Sequence, residues 1–567
     1  MFARFRLFVR LASFAVLAVA LWLWMRGPTI ASGSYLVVDV AGSFSESPPG
    51  NFLSRLIDRG HSIAIFDEAM RKVRHDGRIA GVIVRIGALD AGWAQAEEIR
   101  SALSLVKAAG KRVIAELEVE LSPASKEIFI ASAADAVYVA PASAPMLTGM
   151  QAQAVFLGGV WPKVDVRMQV EQIREYKSAG DELSRESMTP AHREMLESIL
   201  DDVHAQLVRT LASARNLVPA ELDKAINRGI TKPQQLVDAG IANAVRAPSE
   251  VLSELGSGTP PETVKEEIYT RVTPASLGIG DGPSIAVVHA VGAITTGKSR
   301  PGGGSAGSRT VSEALAEAAR DNDISAIVLR VASPGGSPAA SDEIWLAIRD
   351  AAKKKPVIAS LGDVAASGGY YLASAANRIV AAPGTLTGSI GVVFFKPDVS
   401  GLLERVGVHT ESLSRGRYSR LFDLDKPMDA EELALVRDQI NDTYRLFLER
   451  VATGRKKKPE DIDRFGGGRV WTGQQAFERG LVDEIGTFAD AVHAAANAAG
   501  IHDPDKVQLV YYPKKDSLVA QLADLGGQVR AQSDPVARIA QALGEARLEL
   551  LLDPGIQAVA ETVPTIE

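Results

Sequence analysis

Residues 326–331 read Ala326-Ile327-Val328-Leu329-Arg330-Val331, a short apolar run broken by one arginine. A matching run, Gly81-Val82-Ile83-Val84-Arg85-Ile86, lies earlier in the chain, and further pairs of segments match in the same order at a spacing of roughly 240–250 residues. A repeat of this length is too long for a solenoid unit and fits a duplicated domain. The sequence therefore predicts two copies of one folding unit.

Each copy alternates short, β-branched-rich runs with amphipathic segments. In the second copy we predict strands at 285–291, 326–331 and 356–361, and helices at 311–321 and 338–353. Strands that alternate with helices indicate βαβ units, and buried parallel strands appear as nearly continuous apolar runs. The predicted fold class is therefore α/β, with tandem duplicated domains built on parallel sheets.

The composition suggests how these units are arranged along the 567 residues. A Gly/Pro-rich stretch near the middle of the chain indicates a linker, and the last part has a helical pattern interrupted by prolines. The predicted order is an N-terminal membrane anchor at 1–30, a first domain at 31–252, a linker at 253–283, a second domain at 284–514 and a helical C-terminal tail at 515–567.

The N-terminal segment Leu7–Met25 is apolar except for Arg10. As a helix it is about 28 Å long, close to the hydrocarbon thickness of a bilayer. Arginines concentrate before the apolar stretch, so the positive-inside rule places the N-terminus in the cytoplasm and the rest of the chain outside. The alternative is a cleaved signal peptide with a small-residue site at 18–20, followed by Leu21-Trp22-Leu23-Trp24-Met25.

Composition also limits the chemistry. The formal net charge of −7 argues against nucleic acid as a partner. The chain has no cysteine, which excludes thiol catalysis and disulfides, and its eight histidines show no metal-binding spacing. We therefore expect neither a metal nor another cofactor.

Two residues far apart in the chain suggest a hydrolase. Ser367 lies in Ala366-Ser367-Gly368-Gly369-Tyr370, and Lys177 lies in Tyr176-Lys177-Ser178-Ala179. A serine hydroxyl is a weak nucleophile until a base takes its proton, and a lysine in an apolar pocket can be that base because burial lowers its pKa. Ser367 should begin a helix after the strand at 356–361, where free N–H groups favour negative charge.

The neighbouring glycines are candidates for holding an oxyanion. Glycine lets a substrate backbone come close and leaves main-chain N–H groups accessible. We expect the donors to be the N–H of Gly368 and that of Gly335 or Gly336, in the segment Ser333-Pro334-Gly335-Gly336.

Four motifs in order across both copies resemble one family. They are the Lys177 and Ser367 segments, Ser333-Pro334-Gly335-Gly336 and Thr387-Gly388-Ser389-Ile390-Gly391-Val392. With them the chain resembles the long, duplicated form of the signal peptide peptidase A family, membrane-anchored serine proteases of the Clp/crotonase-like fold. The resemblance extends from the anchor to about residue 500. It implies Ser367 as nucleophile, Lys177 as general base and Ser389 as the residue that orients the lysine.

The resemblance also implies partners and a location. It implies peptide substrates, namely the remnants of cleaved signal peptides and other apolar or unfolded peptides. It implies a bacterial cytoplasmic membrane protein with its catalytic domains on the outer, periplasmic side. The long form of the family is a ring-like homo-oligomer with sites built from both domains, so we expect a homo-oligomer, a homotetramer by resemblance.

The duplication provides an internal comparison. The first-copy counterpart of Ser367 is Ser125, followed by Lys126 and Glu127 in place of the two glycines. The second-copy counterpart of Lys177 is Ser419. Each copy keeps one half of the dyad, so a working site needs both halves, either within one chain or across a subunit interface.

Two other functions remain open from the sequence. One is a crotonase-type acyl-CoA enzyme on the same fold, which leaves both the export signal and Lys177 unexplained. The other is a non-catalytic membrane scaffold in which Ser367 is vestigial.

Overall fold

The computed structural model describes residues 28–47, 61–256, 259–300, 304–513, 555–559 and 566. The strands are β1 Ser34–Ser45, β2 His61–Ser62, β3 Ile79–Asp90, β4 Arg112–Leu117, β5 Ser122–Pro123, β6 Ala136–Val139, β7 Pro145–Met146, β8 Arg167–Gln172, β9 Ala244–Val245, β10 Thr263–Lys265, β11 Ser284–Val291, β12 Ala293–Thr295, β13 Ser305–Gly307, β14 Ile324–Ser333, β15 Gly335–Gly336, β16 Val357–Ala366, β17 Arg378–Ala381, β18 Leu386–Gly388, β19 Val393–Asp398, β20 Val470–Thr472, β21 Glu484–Ile485, β22 Gln508–Tyr512 and β23 Gly555–Val559.

The helices of these segments connect the strands. They are α1 Ile63–His75, α2 Trp93–Ala108, α3 Ser125–Ala131, α4 Ala179–Ser184, α5 Pro190–Arg215, α6 Pro219–Arg228, α7 Pro233–Asp238, α8 Pro248–Leu255, α9 Glu266–Tyr269, α10 Ser308–Arg320, α11 Pro338–Ala352, α12 Gly368–Ala373, α13 Ser400–Arg405, α14 Ala430–Arg455, α15 Pro459–Asp463, α16 Gly473–Glu478 and α17 Phe488–Ala498.

The two copies contain equivalent parallel sheets. The first has the order β10-β1-β3-β4-β6-β9, and the second contains β22-β11-β14-β16-β17-β21 in the equivalent order. Strand pairing within both series is parallel. The predicted α/β duplication with parallel sheets is therefore confirmed.

The five elements predicted in the second copy are also confirmed. They correspond to β11, α10, β14, α11 and β16. Strand β14 is buried along nearly its whole length, because helices cover both faces of a parallel sheet and apolar side chains point to each. Strand β16 continues past the predicted end to Ala366, and this extension carries the chain directly to Ser367.

Two parts of the predicted domain arrangement differ from the structure, and a third lies outside the described residues. The segment predicted as linker contributes β10, which pairs in parallel with β1 at the edge of the first sheet and buries its middle residue, Val264. In the tail predicted as helical, Gly555–Val559 form a strand, since they pair with strands on both sides. The predicted anchor Leu7–Met25 lies outside the described residues. Among the helices that are described, none is long and apolar enough to cross a membrane.

A third sheet joins the two copies. Its order is β13-β12-β15-β23-β19-β8, so β8 of the first copy pairs with β19 of the second. The pairing is antiparallel and continuous, from Val393 opposite Gln172 to Asp398 opposite Arg167. This contact holds the chain segment that follows β8, which contains Lys177, against the second copy.

A buried ion-pair cluster also fastens the copies together. Arg330 on β14 donates to Glu46 at 2.8 Å and to both carboxylate oxygens of Glu98 on α2, at 2.6 and 2.9 Å. Its side chain is 2% exposed. The carboxylate of Asp363 accepts the N–H groups of Gly92 and Gln95, both at 2.9 Å, at the start of α2. These polar contacts fix α2 of the first copy on the second sheet.

Candidate active site

Ser367 occupies the sharp turn between β16 and α12. Its φ of 52° and ψ of −117° lie in a region that residues other than glycine rarely adopt. The turn is held by the Ser367 N–H, which donates to the carbonyl of Gly388 at 2.8 Å. The tight geometry also explains why residue 369 is a glycine, because a Cβ at that position would lie 2.6 Å from the carbonyl oxygen of Ser333.

Lys177 reaches this serine from the other copy. It lies between β8 and α4, and its Nζ is 2.9 Å from Ser367 Oγ. Both residues are fully buried. The structure therefore brings together, within one chain, two residues that are 190 positions apart.

Ser389 contacts the same amine. Lys177 Nζ lies 2.7 Å from Ser389 Oγ and 3.1 Å from its carbonyl oxygen. Ser389 follows β18 with a φ of 48°, and its N–H donates to the carbonyl of Arg469 at 2.8 Å. The positive φ turns the side chain and the carbonyl of one residue toward one amine, so two acceptors hold Lys177 in place.

Glycines to which the sequence analysis assigned no role form the wall behind the lysine. A Cβ on Gly468 would lie 2.4 Å from the backbone nitrogen of Lys177 and 2.5 Å from its Cα. A Cβ on Gly391 would lie 3.3 Å from Lys177 Cδ. The run Gly466-Gly467-Gly468 was visible in the sequence, but nothing local connected it with a lysine in the other copy.

The predicted oxyanion glycines lie beside Ser367 but differ in availability. Gly368 begins α12, where the first N–H groups of a helix have no partner within it. The N–H of Gly335 donates to Ser333 Oγ at 3.1 Å. Gly336 has a φ of 152° and pairs with Ile294, and a Cβ there would lie 2.1 Å from the Ile294 carbonyl oxygen. The geometry thus favours the Gly368 N–H over that of Gly335.

Comparison with known proteins identifies the family. Peptidase family S49 matches residues 106–258 and 349–502, one match in each copy, and together the matches cover more than half of the chain. The chain belongs to peptidase family S49. The resemblance to the long, duplicated signal peptide peptidase A form is confirmed, and the chain is a serine-type peptidase of this family.

Similar proteins extend over most of this S49 chain. "Serine protease SPPA, chloroplastic" of Arabidopsis thaliana is 34% identical over 522 residues, covering 89% of this chain and 75% of that protein. "Protease 4" of Salmonella typhi is 31% identical, covering 90% of this chain and 86% of its own length. "Protease 4" of Haemophilus influenzae is 30% identical, covering 79% and 75%.

The equivalent corner of the first S49 copy is filled by side chains. Ser125 begins α3, the counterpart of α12. The carboxylate of Glu127 accepts the N–H of Leu89 at 2.8 Å, and Lys126 Nζ donates to the carbonyl of Ala91 at 2.7 Å. In the second copy, Ser419 is exposed and donates to the carbonyl of Gly416. Neither counterpart position therefore has the contacts of the Ser367–Lys177 pair.

Proposed function

We propose that this protein is a membrane-anchored endopeptidase that uses Ser367 as nucleophile and Lys177 as general base. The observation that carries the proposal is the distance of 2.9 Å between Lys177 Nζ and Ser367 Oγ, both fully buried. A general base must lie within hydrogen-bond reach of the proton that it removes. Removal from water disfavours the charged form of an amine, so the buried lysine is suited to accept that proton.

The reaction then follows from these positions. Neutral Lys177 takes the proton of Ser367 Oγ as the oxygen attacks the scissile carbonyl, and the N–H of Gly368 donates to the oxyanion, with a second N–H from the Gly335-Gly336 segment. The lysine ammonium gives its proton to the leaving amine, and an ester to Ser367 remains. Neutral Lys177 next takes a proton from water, which attacks the ester, and returns it to Ser367 Oγ.

Strand β23 supports an extended peptide as the substrate. Its backbone pairs in antiparallel fashion with β15 on one side and with Val393–Phe395 of β19 on the other. Both strands begin close to the dyad. Ser333, just before β15, lies against Gly369 of the Ser367 turn, and Gly391, just before β19, lies against Lys177. We call the gap between β15 and β19 the strand slot. Main-chain pairing on both sides requires an unfolded segment, which excludes folded proteins as direct substrates.

The substrate class and location follow from the family resemblance and the N-terminal sequence. Signal-peptide remnants and other apolar or unfolded peptides can enter the strand slot as extended chains. The apolar segment Leu7–Met25 would tether the protein to the bacterial cytoplasmic membrane, with the catalytic domains on the outer side. A homo-oligomer, a homotetramer by resemblance, is part of the same proposal.

A serine-reactive fluorophosphonate tests the nucleophile. We expect the wild-type chain to be labelled at Ser367 and Ser367→Ala to be unlabelled, because an activated hydroxyl beside an oxyanion site reacts far faster than an ordinary serine. Ser125→Ala is the matched control, and its labelling should equal that of the wild type. Labelling that survives in Ser367→Ala contradicts the proposal, while absence of labelling in the wild type favours a scaffold or an acyl-CoA enzyme.

The position of β23 predicts competition between the C-terminus and substrate. Ending the chain at residue 554 should lower KM for a peptide and leave kcat unchanged, because the strand slot no longer has an internal occupant. If the slot is open for one-tenth of the time in the full chain, KM falls about tenfold. Steady-state cleavage of an apolar fluorogenic peptide measures both constants.

The matched control for the shortened chain is the missing segment itself. A synthetic peptide with the sequence of residues 555–567 should inhibit the shortened chain competitively. Equal KM values for both chains, together with no inhibition by the peptide, would show that β23 does not exclude substrate.

A further inference from the structure

The base and the nucleophile come from different copies, so non-covalent contacts must hold them in register. Lys177 lies in the irregular segment between the end of β8 at Gln172 and the start of α4 at Ala179. Pairing of β8 with β19 anchors one end of this segment. The second copy also contacts the residue immediately before the lysine, Tyr176.

Arg469 makes that contact. Its guanidinium carbon lies 4.8 Å from the centre of the Tyr176 ring, and Tyr176 directly precedes Lys177. The same group lies 4.4 Å from the centre of the Trp471 ring. A cation over an aromatic face is attracted by the ring, and guanidinium groups stack well on such faces.

An ion pair with the first copy sets the orientation of the guanidinium. Both of its terminal nitrogens donate to Glu194 on α5, Nη2 at 2.8 Å from Oε1 and Nη1 closer still to Oε2. The side chain of Arg469 is only 12% exposed. These hydrogen bonds from Arg469 hold the pKa of Glu194 below its usual value, so the carboxylate stays charged in the pair.

The backbone of Arg469 reaches the other side of the amine. Its carbonyl accepts the N–H of Ser389 at 2.8 Å, and Ser389 in turn holds Lys177 Nζ. Gly468, immediately before it, lies against the backbone of Lys177 with no room for a Cβ. One short segment therefore touches both the residue before the base and the residue that accepts its hydrogen bonds.

We propose that Arg469 is a positioning residue for Lys177: its guanidinium clamps Tyr176 and Glu194 of the first copy, while its carbonyl fixes Ser389. The inference rests on the proposed Ser367–Lys177 dyad and adds the residue that keeps it in register. It predicts an effect on the chemical step, because a small misplacement of a catalytic group costs about 10²-fold in rate.

The test is peptide cleavage by Arg469→Gln in the full chain. We expect kcat to fall by about 10- to 100-fold with KM changed less than about twofold, since the strand slot is untouched. Arg469→Lys, which keeps the charge but not the planar fork, should recover part of the loss. A role limited to holding the fold would instead lower the fraction of active enzyme, which titration with a fluorophosphonate measures directly.

Arg479→Gln is the matched control. Arg479 stacks on the Trp471 ring that Arg469 also contacts, with its guanidinium carbon 3.8 Å from the ring centre, and it donates a hydrogen bond to the carbonyl of Gln475. We expect its kcat to equal that of the wild type. Wild-type kcat in Arg469→Gln, or an equal loss in Arg479→Gln, overturns the positioning role.

Two further variants separate this inference from the dyad itself. If Lys177→Ala keeps full activity, the proposed function fails whatever Arg469→Gln does. If Lys177→Ala is inactive and Arg469→Gln is normal, only the positioning role fails. If Arg469→Gln does not fold, Tyr176→Leu tests the same clamp from the other side, and a wild-type kcat in that variant overturns the inference.

Discussion

Replacing Ser367 or Lys177 with alanine is expected to lower kcat for cleavage of an apolar fluorogenic peptide by about 10⁴-fold or more. In the proposed mechanism no ester can form without Ser367, and without Lys177 the hydroxyl keeps its proton during attack. Because the two groups act as a unit, the double variant should be no worse than either single one. Steady-state assays of the three variants beside the wild type measure this.

The geometry adds a second expectation to the same experiment. Lys177 Nζ and Ser367 Oγ are 2.9 Å apart within one chain. Mixing the two inactive variants should therefore restore no activity, even when subunits exchange. Lys126→Ala, which alters the first-copy counterpart of this corner, is the control with wild-type kcat. Activity that survives in Lys177→Ala would mean that another base serves Ser367, and recovery on mixing would place the dyad between subunits.

Replacing Arg330 with leucine is expected to destabilise the fold by about 3–5 kcal/mol. The guanidinium is 2% exposed and pairs with Glu46 and Glu98, so its loss leaves two buried carboxylates without their shared cation. A buried carboxylate without a partner lowers the stability of the fold by far more than the ion pair itself adds to it. Urea unfolding of the wild type and the variant measures the difference in the free energy of unfolding.

The destabilisation should grow with pH. Burial already raises the pKa of Glu98 to about 7, with the attraction of Arg330 opposing the rise. A carboxylate whose pKa is raised on folding reduces stability as the pH climbs from its unfolded value through the folded one. Without Arg330 this penalty increases, so the loss should be larger at pH 8 than at pH 5.5.

The duplicated copy provides the control for Arg330. Its counterpart Arg85 pairs with a single buried carboxylate, that of Glu116, at 3.2 Å, and the Arg85 side chain is 37% exposed. Arg85→Leu should therefore cost less than Arg330→Leu at both pH values. A loss of equal size in the two variants, or no pH dependence for Arg330→Leu, would contradict the assignment of the cost to buried, unpaired carboxylates.

Local sequence patterns were enough for the five strands and helices predicted in the second copy. Apolar runs and helical periodicity placed β14 and α11, because burial on both faces of a parallel sheet and on one face of a helix leaves a direct imprint on residue order. The Ser-Gly-Gly turn after β16 was also visible, since Gly369 is needed where its backbone approaches that of Ser333. The resemblance to a known family then paired Ser367 with Lys177 and Ser389.

Other features depend on how distant segments dock. The pairing of β8 with β19, the Arg330 cluster and the contact of Arg469 with Tyr176 each join residues of different copies. Local periodicity does not reveal such distant partners, because each segment can form its own strand or helix whether or not the two copies dock. The strand at Gly555–Val559 is the same case, since its pairing partners, rather than its own residues, make it a strand.

The sequence alone therefore set the repeated α/β unit and the residue types of the proposed dyad. The distance between lysine and serine was set by tertiary contact. Hydrophobic patterning and turn chemistry act within a few residues of each other, so they can be inferred along the chain. The 2.9 Å separation of Lys177 Nζ and Ser367 Oγ exists because the first copy packs on the second, with β8 beside β19 and Gly468 against the lysine backbone.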